Sequence, residues 1–214
     1  MITIWGEGRG FRLIWLLEEM GLPYVLRPVD LLQDVTQDAE FMAVNPAGFI
    51  PALTDGAVTM VESVAIMEYL LARHGPAGLA PAPDDPAFPL YLQFLHMGEA
   101  GLAGPIYWVL NANRLPDPAE RNNPTARHAR WTWDKRLALV TAQLQRSRFV
   151  AGDAFSAADI SVAYAVELAW AGAGIPPGPV EGAWLARMRA RPAYQRAMAA
   201  CPARRAWFAS LPAT

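Results

Sequence analysis

Apolar and polar positions in the first third of the chain alternate in short blocks that predict strands and helices in turn. Alternation over residues 1–5 predicts a strand, and apolar residues at 13, 14, 16, 17 and 20 have helical spacing. A second strand over 24–29 completes a β-α-β unit. The remaining predictions are a helix at 38–44, strands at 51–54 and 58–61 about the hairpin signal Asp55-Gly56, and a helix at 63–74.

The second part of the chain has a different pattern. It follows four prolines between Pro81 and Pro89, which cannot continue a helix or a central strand. Helices are predicted over 90–113, with a bend near Gly98, Gly101 and Gly104, and over 125–146, 157–173, 180–191 and 192–200. We therefore expect a βαβ-α-ββα domain over 1–78, a proline-rich linker over 79–89 and an all-α domain over 90–214.

Composition narrows the classes of function. Hydrophobic residues make up 53% of the 214 residues and charged residues 18%, so the chain can bury a large core. It has no apolar run of about 18 residues and no apolar leader, so we expect a cytoplasmic protein without membrane spans. A net charge of −2 argues against nucleic-acid binding. One cysteine and three scattered histidines predict neither an intrachain disulfide nor a metal site.

The segment 45–56 places Pro51 at the start of a hairpin strand, where it removes one ladder donor. If the Ile50–Pro51 bond is cis, the N–H and C=O of Ile50 face outward and can bond an extended peptide as an added strand would. The alternative is an edge-strand proline with no further role, since only about 5–6% of X–Pro bonds are cis.

Glu62 and Ser63 stand where the next helix begins. The N–H groups and positive dipole end of a helix N-terminus attract a carboxylate, with Ser63 as a further donor and Glu62 as an acceptor for an ammonium group. The alternative is an ordinary N-cap at Ser63 beside a solvated Glu62. Farther along, Ser156 and Asp159 form a capping box, which is expected to be structural rather than catalytic.

Four segments, at 15–24, 45–53, 61–70 and 151–160, together resemble the soluble, bacterial type of glutathione transferase over nearly the full length of the chain. They read WLLEEMGLPY, NPAGFIPAL, VESVAIMEYL and AGDAFSAADI. The resemblance implies a thioredoxin-like α/β N-terminal domain, an all-α C-terminal domain and a homodimer.

The resemblance also implies roles for particular residues. Ile50–Pro51 is implied to be cis and to pair with the cysteinyl backbone of glutathione, the co-substrate. Glu62 and Ser63 are implied to hold its γ-glutamyl end. The box at Ser156 and Asp159 is implied to be the folding motif of the helical core.

The residues expected near the glutathione sulfur depart from the family pattern. In the family a Tyr, Ser or Cys follows the first strand, whereas residues 5–11 read WGEGRGF and hold neither a hydroxyl nor a thiol. Three interpretations stay open: Arg9 and the N–H groups of the next helix stabilise a thiolate, Glu7 acts as a general base, or the site binds glutathione without activating it. The alternative for Glu7 and Arg9 is an exposed ion pair of little energetic value.

The two ends of the site raise further candidates. Phe49 stands where many relatives carry a Lys or Arg that meets the glycyl carboxylate, so Gln33 or Arg12 is considered for that end, although both are also typical surface or fold residues. The second substrate is expected to bind between the domains, beyond the predicted bend. The candidate residues there are Tyr107, Trp108 and Arg114, and Tyr107 is a candidate hydrogen-bond donor to an electrophile. Core packing is the alternative for the two aromatic residues.

The resemblance predicts an enzyme that acts in detoxification. It would transfer the thiol of glutathione to a small apolar electrophile, or would reduce or isomerise that electrophile. The thiolate would be the nucleophile, and the protein would supply orientation and electrostatic stabilisation. The alternative is a non-catalytic glutathione-binding or regulatory protein on the same scaffold, which the missing hydroxyl favours. A third, weaker interpretation is a dimerisation module that binds no thiol.

Overall fold

A computed structural model describes residues 1–30, 33–75 and 77–209, and these form two compact units. The first unit joins the described part of 1–77 to residues 190–209, and the second contains residues 78–189. The sequence prediction assigned 190–214 to the helical domain, whereas residues 190–209 pack in the first unit. Among the described residues, no helix is long and apolar enough to cross a membrane.

The first unit is built on a four-stranded sheet in the order β2-β1-β3-β4. Its strands are β1 (Ile2–Trp5), β2 (Tyr24–Arg27), β3 (Ala52–Asp55) and β4 (Val58–Val61), and its first helices are α1 (Phe11–Met20), α2 (Ala39–Val44) and α3 (Ser63–His74). β1 pairs parallel with β2 and antiparallel with β3, and β3 and β4 form the predicted antiparallel hairpin. This arrangement confirms the thioredoxin-like fold.

Helix α1 is the central helix of this unit. The predicted apolar face is buried, and so are Arg12 and Trp15, which lie off that face, so that every residue from Phe11 to Leu17 is buried. The helix ends at Gly21, whose left-handed φ of 66° allows its N–H to donate to the Leu17 carbonyl. Helix α1, which connects β1 to β2, therefore packs on the sheet. The turn before α1 lies beyond the C-terminal end of β1.

The second unit is built from helices. They are α4 (Phe88–His96), α5 (Gly104–Asn113), α6 (Pro124–Leu144), α7 (Ala157–Ala173) and α8 (Pro179–Arg189), and a π-helical segment, Met97–Ala103, joins α4 to α5. That segment is the predicted bend, and Gly98 within it packs against α7, since an added Cβ would lie 2.2 Å from Ser161 Oγ. Helix α4 begins inside the predicted linker because Pro89 occupies its first turn, where a missing N–H has no cost.

The predicted capping box begins α7. The carboxylate of Asp159 is fully buried and accepts hydrogen bonds from the Ser156 N–H (3.0 Å), the Val150 N–H (3.0 Å) and Trp184 Nε1–H (3.1 Å). Burial raises the pKa of Asp159 to about 6, although these hydrogen bonds act in the opposite direction. The box therefore ties α7 to α8 and to the preceding loop.

Two helices at the end of the chain complete the first unit: α9 (Pro192–Ala200) and α10 (Pro202–Ala209). Helix α9 lies on α1, where Arg191 Nε bonds Glu19 Oε1 at 2.6 Å and the Tyr194 ring packs edge-on against Trp15 with centroids 4.9 Å apart. These contacts explain why residues 190–209 belong to the first unit. Helix α10 is not among the predicted elements, whereas the ends of the other predicted elements differ from the structure by at most two residues.

Candidate functional site

The glycine-rich turn between β1 and α1 lies against the Ile50–Pro51 dipeptide, whose peptide bond is cis. Gly6 has φ 84°, and an added Cβ would lie 2.4 Å from Ile50 Cγ2. A Cβ on Gly8 would lie 3.2 Å from Ile50 Cδ1, and one on Gly10 would lie 3.4 Å from Pro51 Cβ. Glycine is required at Gly6, where the turn passes directly over the Ile50 side chain at a positive φ.

Ile50 presents main-chain polar groups just before β3. Buried Asn45 holds the preceding loop, since its Nδ2 donates to the Phe49 carbonyl (2.5 Å) and its Oδ1 accepts from the Ala47 N–H (3.1 Å). Within the part of the chain that the structure describes, no hydrogen bond engages the N–H or C=O of Ile50. These two groups can therefore pair with an extended peptide, as a further strand would.

The start of α3 differs from the predicted cap. Glu62, exposed, occupies the N-cap position with φ 71°, the one positive φ of a non-glycine residue among the described residues. Such a conformation costs about 1–3 kcal/mol and persists only where the surroundings impose it. Ser63 is the first residue of the helix, so the prediction that it caps α3 is wrong. Its buried hydroxyl accepts a hydrogen bond from Arg12 Nη1 at 3.2 Å.

The residues considered for the glycyl carboxylate lie in different surroundings. Arg12 is fully buried beneath Ser63, so it has no surface with which to meet that carboxylate, and it supports Ser63 instead. Gln33 is exposed. Phe49 is 73% exposed and offers no donor.

Glu7 and Arg9 lie in the glycine turn, where Glu7 is engaged by a helix. Its Oε1 accepts from the Ala203 N–H (3.3 Å) and its Oε2 from the Arg204 N–H (3.0 Å), at the start of α10. Arg9 is half-buried in the short 3-10 turn that leads into α1. The Glu7 carboxylate thus caps α10, a role that neither the general base nor the exposed ion pair with Arg9 describes.

The three residues predicted for the second substrate lie at the surface of the helical unit. Tyr107 and Trp108, on α5, are 45% and 56% exposed, and exposed Arg114 follows the end of that helix. Core packing is therefore excluded for the two aromatic residues. Trp108 lines two cavities between α5 and α6, of about 400 and 350 Å³, whose linings include neither Tyr107 nor Arg114.

Two links in the first unit are missing from the sequence prediction: the hydrogen bond from Arg12 to Ser63 and the cap that Glu7 forms on α10. They join residues 51 and 197 positions apart. The sequence does carry a signal for the hydrogen bond from Arg12 to Ser63. Arg12 is the single charged residue in the apolar run 11–17, and a charged residue that is buried needs a polar partner. No comparable signal exists for the second link, since α10 has only eight residues and its partner Glu7 lies near the other end of the sequence.

Comparisons with known proteins agree with this architecture. Residues 10–73 match the family model for the glutathione S-transferase N-terminal domain. The chain is 33% identical over 200 residues to glutathione S-transferase 3 of Zea mays, covering 89% of each chain. A theta class glutathione S-transferase from Xanthomonas axonopodis pv. citri, solved with glutathione bound, is 31% identical with a TM-score of 0.76 and covers 92% of this chain and 96% of its own. The identity and coverage place this chain in the glutathione S-transferase family.

Proposed function

We propose that this chain is a transferase that binds glutathione as co-substrate and joins its thiol to a small apolar electrophile, or uses the thiol to reduce or isomerise one. The observation that carries the proposal is the unpaired main chain of Ile50, set against the glycine turn. Membership of the family and the glutathione complex of the Xanthomonas relative support it.

The cysteinyl residue of glutathione pairs with Ile50 in this proposal. An extended tripeptide offers one N–H and one C=O at its central residue, and these match the C=O and N–H of Ile50 as a neighbouring strand would. The glycine turn is in contact with the Ile50 side chain. A cysteinyl residue paired here therefore carries its sulfur close to that turn.

The γ-glutamyl group binds at the start of α3. The N-terminus of this 12-residue helix has unsatisfied N–H groups and the positive end of the helix dipole, both of which attract the α-carboxylate. Ser63 Oγ accepts from Arg12, so its own O–H is left to donate to that carboxylate. Exposed Glu62, held at φ 71°, accepts from the ammonium group.

The glycyl carboxylate is assigned to Gln33. Phe49 has no donor and Arg12 is buried, whereas the exposed amide of Gln33 can donate two hydrogen bonds. The electrophile is assigned to the surface around Trp108, with Tyr107 as a donor and Arg114 as a nearby cation. We further infer a cytoplasmic homodimer that acts in detoxification.

Activation of the thiol is assigned to Arg9 and to the positive end of the α1 dipole, because a cation and a helix N-terminus both lower the pKa of a thiol. The thiolate attacks the electrophilic carbon, and its lone pair forms the new C–S bond. A leaving group departs with its bonding electron pair, and the thiol proton passes to solvent. Electrostatic stabilisation by the chain thereby replaces the absent hydroxyl or thiol.

Calorimetric titration with glutathione tests binding, and titration of the thiolate absorbance tests activation. We expect the wild type to lower the pKa of the bound thiol and Arg9→Ala to return it toward that of free glutathione. Arg146→Ala, which changes an exposed arginine after α6, is the charge-matched control and should alter neither quantity. No heat with glutathione and no turnover of 1-chloro-2,4-dinitrobenzene refute the proposal, and binding with an unshifted thiol pKa refutes its transferase part.

A further inference from the structure

Helix α10 contacts the residues that precede and follow Arg9 in the sequence. On one side, the Glu7 carboxylate accepts from the Ala203 and Arg204 N–H groups at 3.3 and 3.0 Å. On the other side, the guanidinium carbon of Arg204 lies 3.9 Å from the centre of the Phe11 ring, at the first residue of α1. One short helix near the end of the chain therefore contacts residues 7 and 11.

The contact between Arg204 and Phe11 is shielded from water. Arg204 is 4% exposed, Phe11 is fully buried, and the same guanidinium lies 5.0 Å from the Phe208 ring. A cation over an aromatic ring is stabilised more strongly when desolvated, and a carboxylate at a helix N-terminus gains from charge-assisted hydrogen bonds and the helix dipole. Cys201, just before α10, is also buried, and burial followed by the charge of Glu7 raises its thiol pKa to about 12. The start of α10 is thus packed closely onto the turn.

The turn has main-chain hydrogen bonds of its own, from the Gly6 N–H to the Arg27 carbonyl (2.8 Å) and from the Gly10 N–H to the Glu7 carbonyl (2.6 Å), and α10 adds side-chain contacts to them. Gly6, Gly8 and Gly10 make up three of its five residues, and glycine has the widest conformational freedom of the backbone. The Ile50 side chain bounds the turn at Gly6 and Gly8. Arg9 stands between Gly8 and Gly10, so a shift of the main chain there also shifts the Cα atom from which its side chain extends.

We propose that Glu7 is a positioning residue: by docking α10 on the turn, it fixes Arg9 and the N-terminal end of α1 in the arrangement that stabilises the glutathione thiolate. This inference rests on the proposed function of the sulfur end of the site. Glu7 then acts on the sulfur through the helix, without touching the thiol and without accepting its proton.

Docking can be measured without glutathione. Cys201 is the single cysteine of the chain and is buried at the start of α10, so its reaction with a thiol reagent reports release of the helix. We expect Glu7→Ala and Arg204→Met each to raise the labelling rate about tenfold, since each removes one of the two contacts. Arg205→Met is the matched control, because Arg205 is exposed on the same helix.

The effect on the thiol is measured with bound glutathione. We expect Glu7→Ala, or deletion of residues 202–214, to raise the pKa of the bound thiol by about one unit and to lower kcat about tenfold, with the Kd for glutathione changed less than about threefold. The combined variant should be no worse than either alone, because both changes break the same contact. Glu7→Gln retains one acceptor oxygen and should fall between the wild type and Glu7→Ala.

A general base would behave differently. Glu7→Gln would then abolish turnover as fully as Glu7→Ala, and the labelling rate of Cys201 would not change. In the chain that lacks residues 202–214, Glu7→Ala would lower turnover further. Either result overturns the positioning role. Absence of glutathione binding in the wild type overturns the proposed function together with this role, whereas binding with Cys201 labelling unaffected by Glu7→Ala overturns the positioning role alone.

Discussion

Replacement of Gly6 by alanine is expected to displace Ile50 and to weaken glutathione binding. The new Cβ would lie 2.4 Å from Ile50 Cγ2 and 2.6 Å from Ile50 Cβ, at a φ of 84° that side chains rarely adopt. The backbone conformation costs about 1–2 kcal/mol, and overpacking adds about 1–3 kcal/mol. We therefore expect Gly6→Ala to lower the free energy of unfolding by about 2–5 kcal/mol.

Gly56→Ala is the matched control for this variant. Gly56 has φ 60° in the hairpin turn, and none of the described atoms lies within 4 Å of an added Cβ, so only the backbone cost of about 1–2 kcal/mol applies. Urea unfolding followed by circular dichroism gives the stabilities, and calorimetry should show about tenfold weaker glutathione binding in Gly6→Ala alone. Equal stability losses in the two variants, or unchanged binding in Gly6→Ala, would refute the argument that contact with Ile50 positions the turn.

Three further predictions concern buried or paired polar groups. Ser63→Ala removes the acceptor of the Arg12 hydrogen bond and should lower the free energy of unfolding by about 1–3 kcal/mol, and unchanged glutathione affinity in this variant would contradict the role proposed for the hydroxyl. Burial raises the pKa of Asp159 to about 6, so between about pH 4 and pH 6 the folded chain binds more protons than the unfolded chain. The free energy of unfolding should therefore fall as pH rises through this range, and Asp159→Asn should remove that pH dependence. The hydrogen bond from His74 lowers the pKa of Asp55, so this carboxylate should stabilise the fold above about pH 4 and lose its contribution as pH falls through the lowered value. The same acid unfolding curve in Asp55→Asn as in the wild type would exclude that contribution.

Much of the fold could be predicted from local sequence. The bounds of α7, the hairpin about Asp55-Gly56 and the bend near Gly98 all follow from periodicity, capping residues and turn residues within a few positions of each other. Local interactions of this kind act in the same way wherever the segment lies in the molecule. The motif around Ile50–Pro51 likewise indicated the candidate site through the family resemblance.

Only the tertiary structure decided what the polar residues around that site do. In sequence, Arg12 is a candidate ligand, Ser63 an N-cap and Glu7 a base or a surface charge, and each of these roles is compatible with the neighbouring residues. Packing buries Arg12 against the Ser63 hydroxyl and brings the Glu7 carboxylate to the amide of Arg204, across 51 and 197 positions of the chain. The role of a charged side chain depends on its partner and its burial, and both are set by contacts between segments that no local pattern encodes.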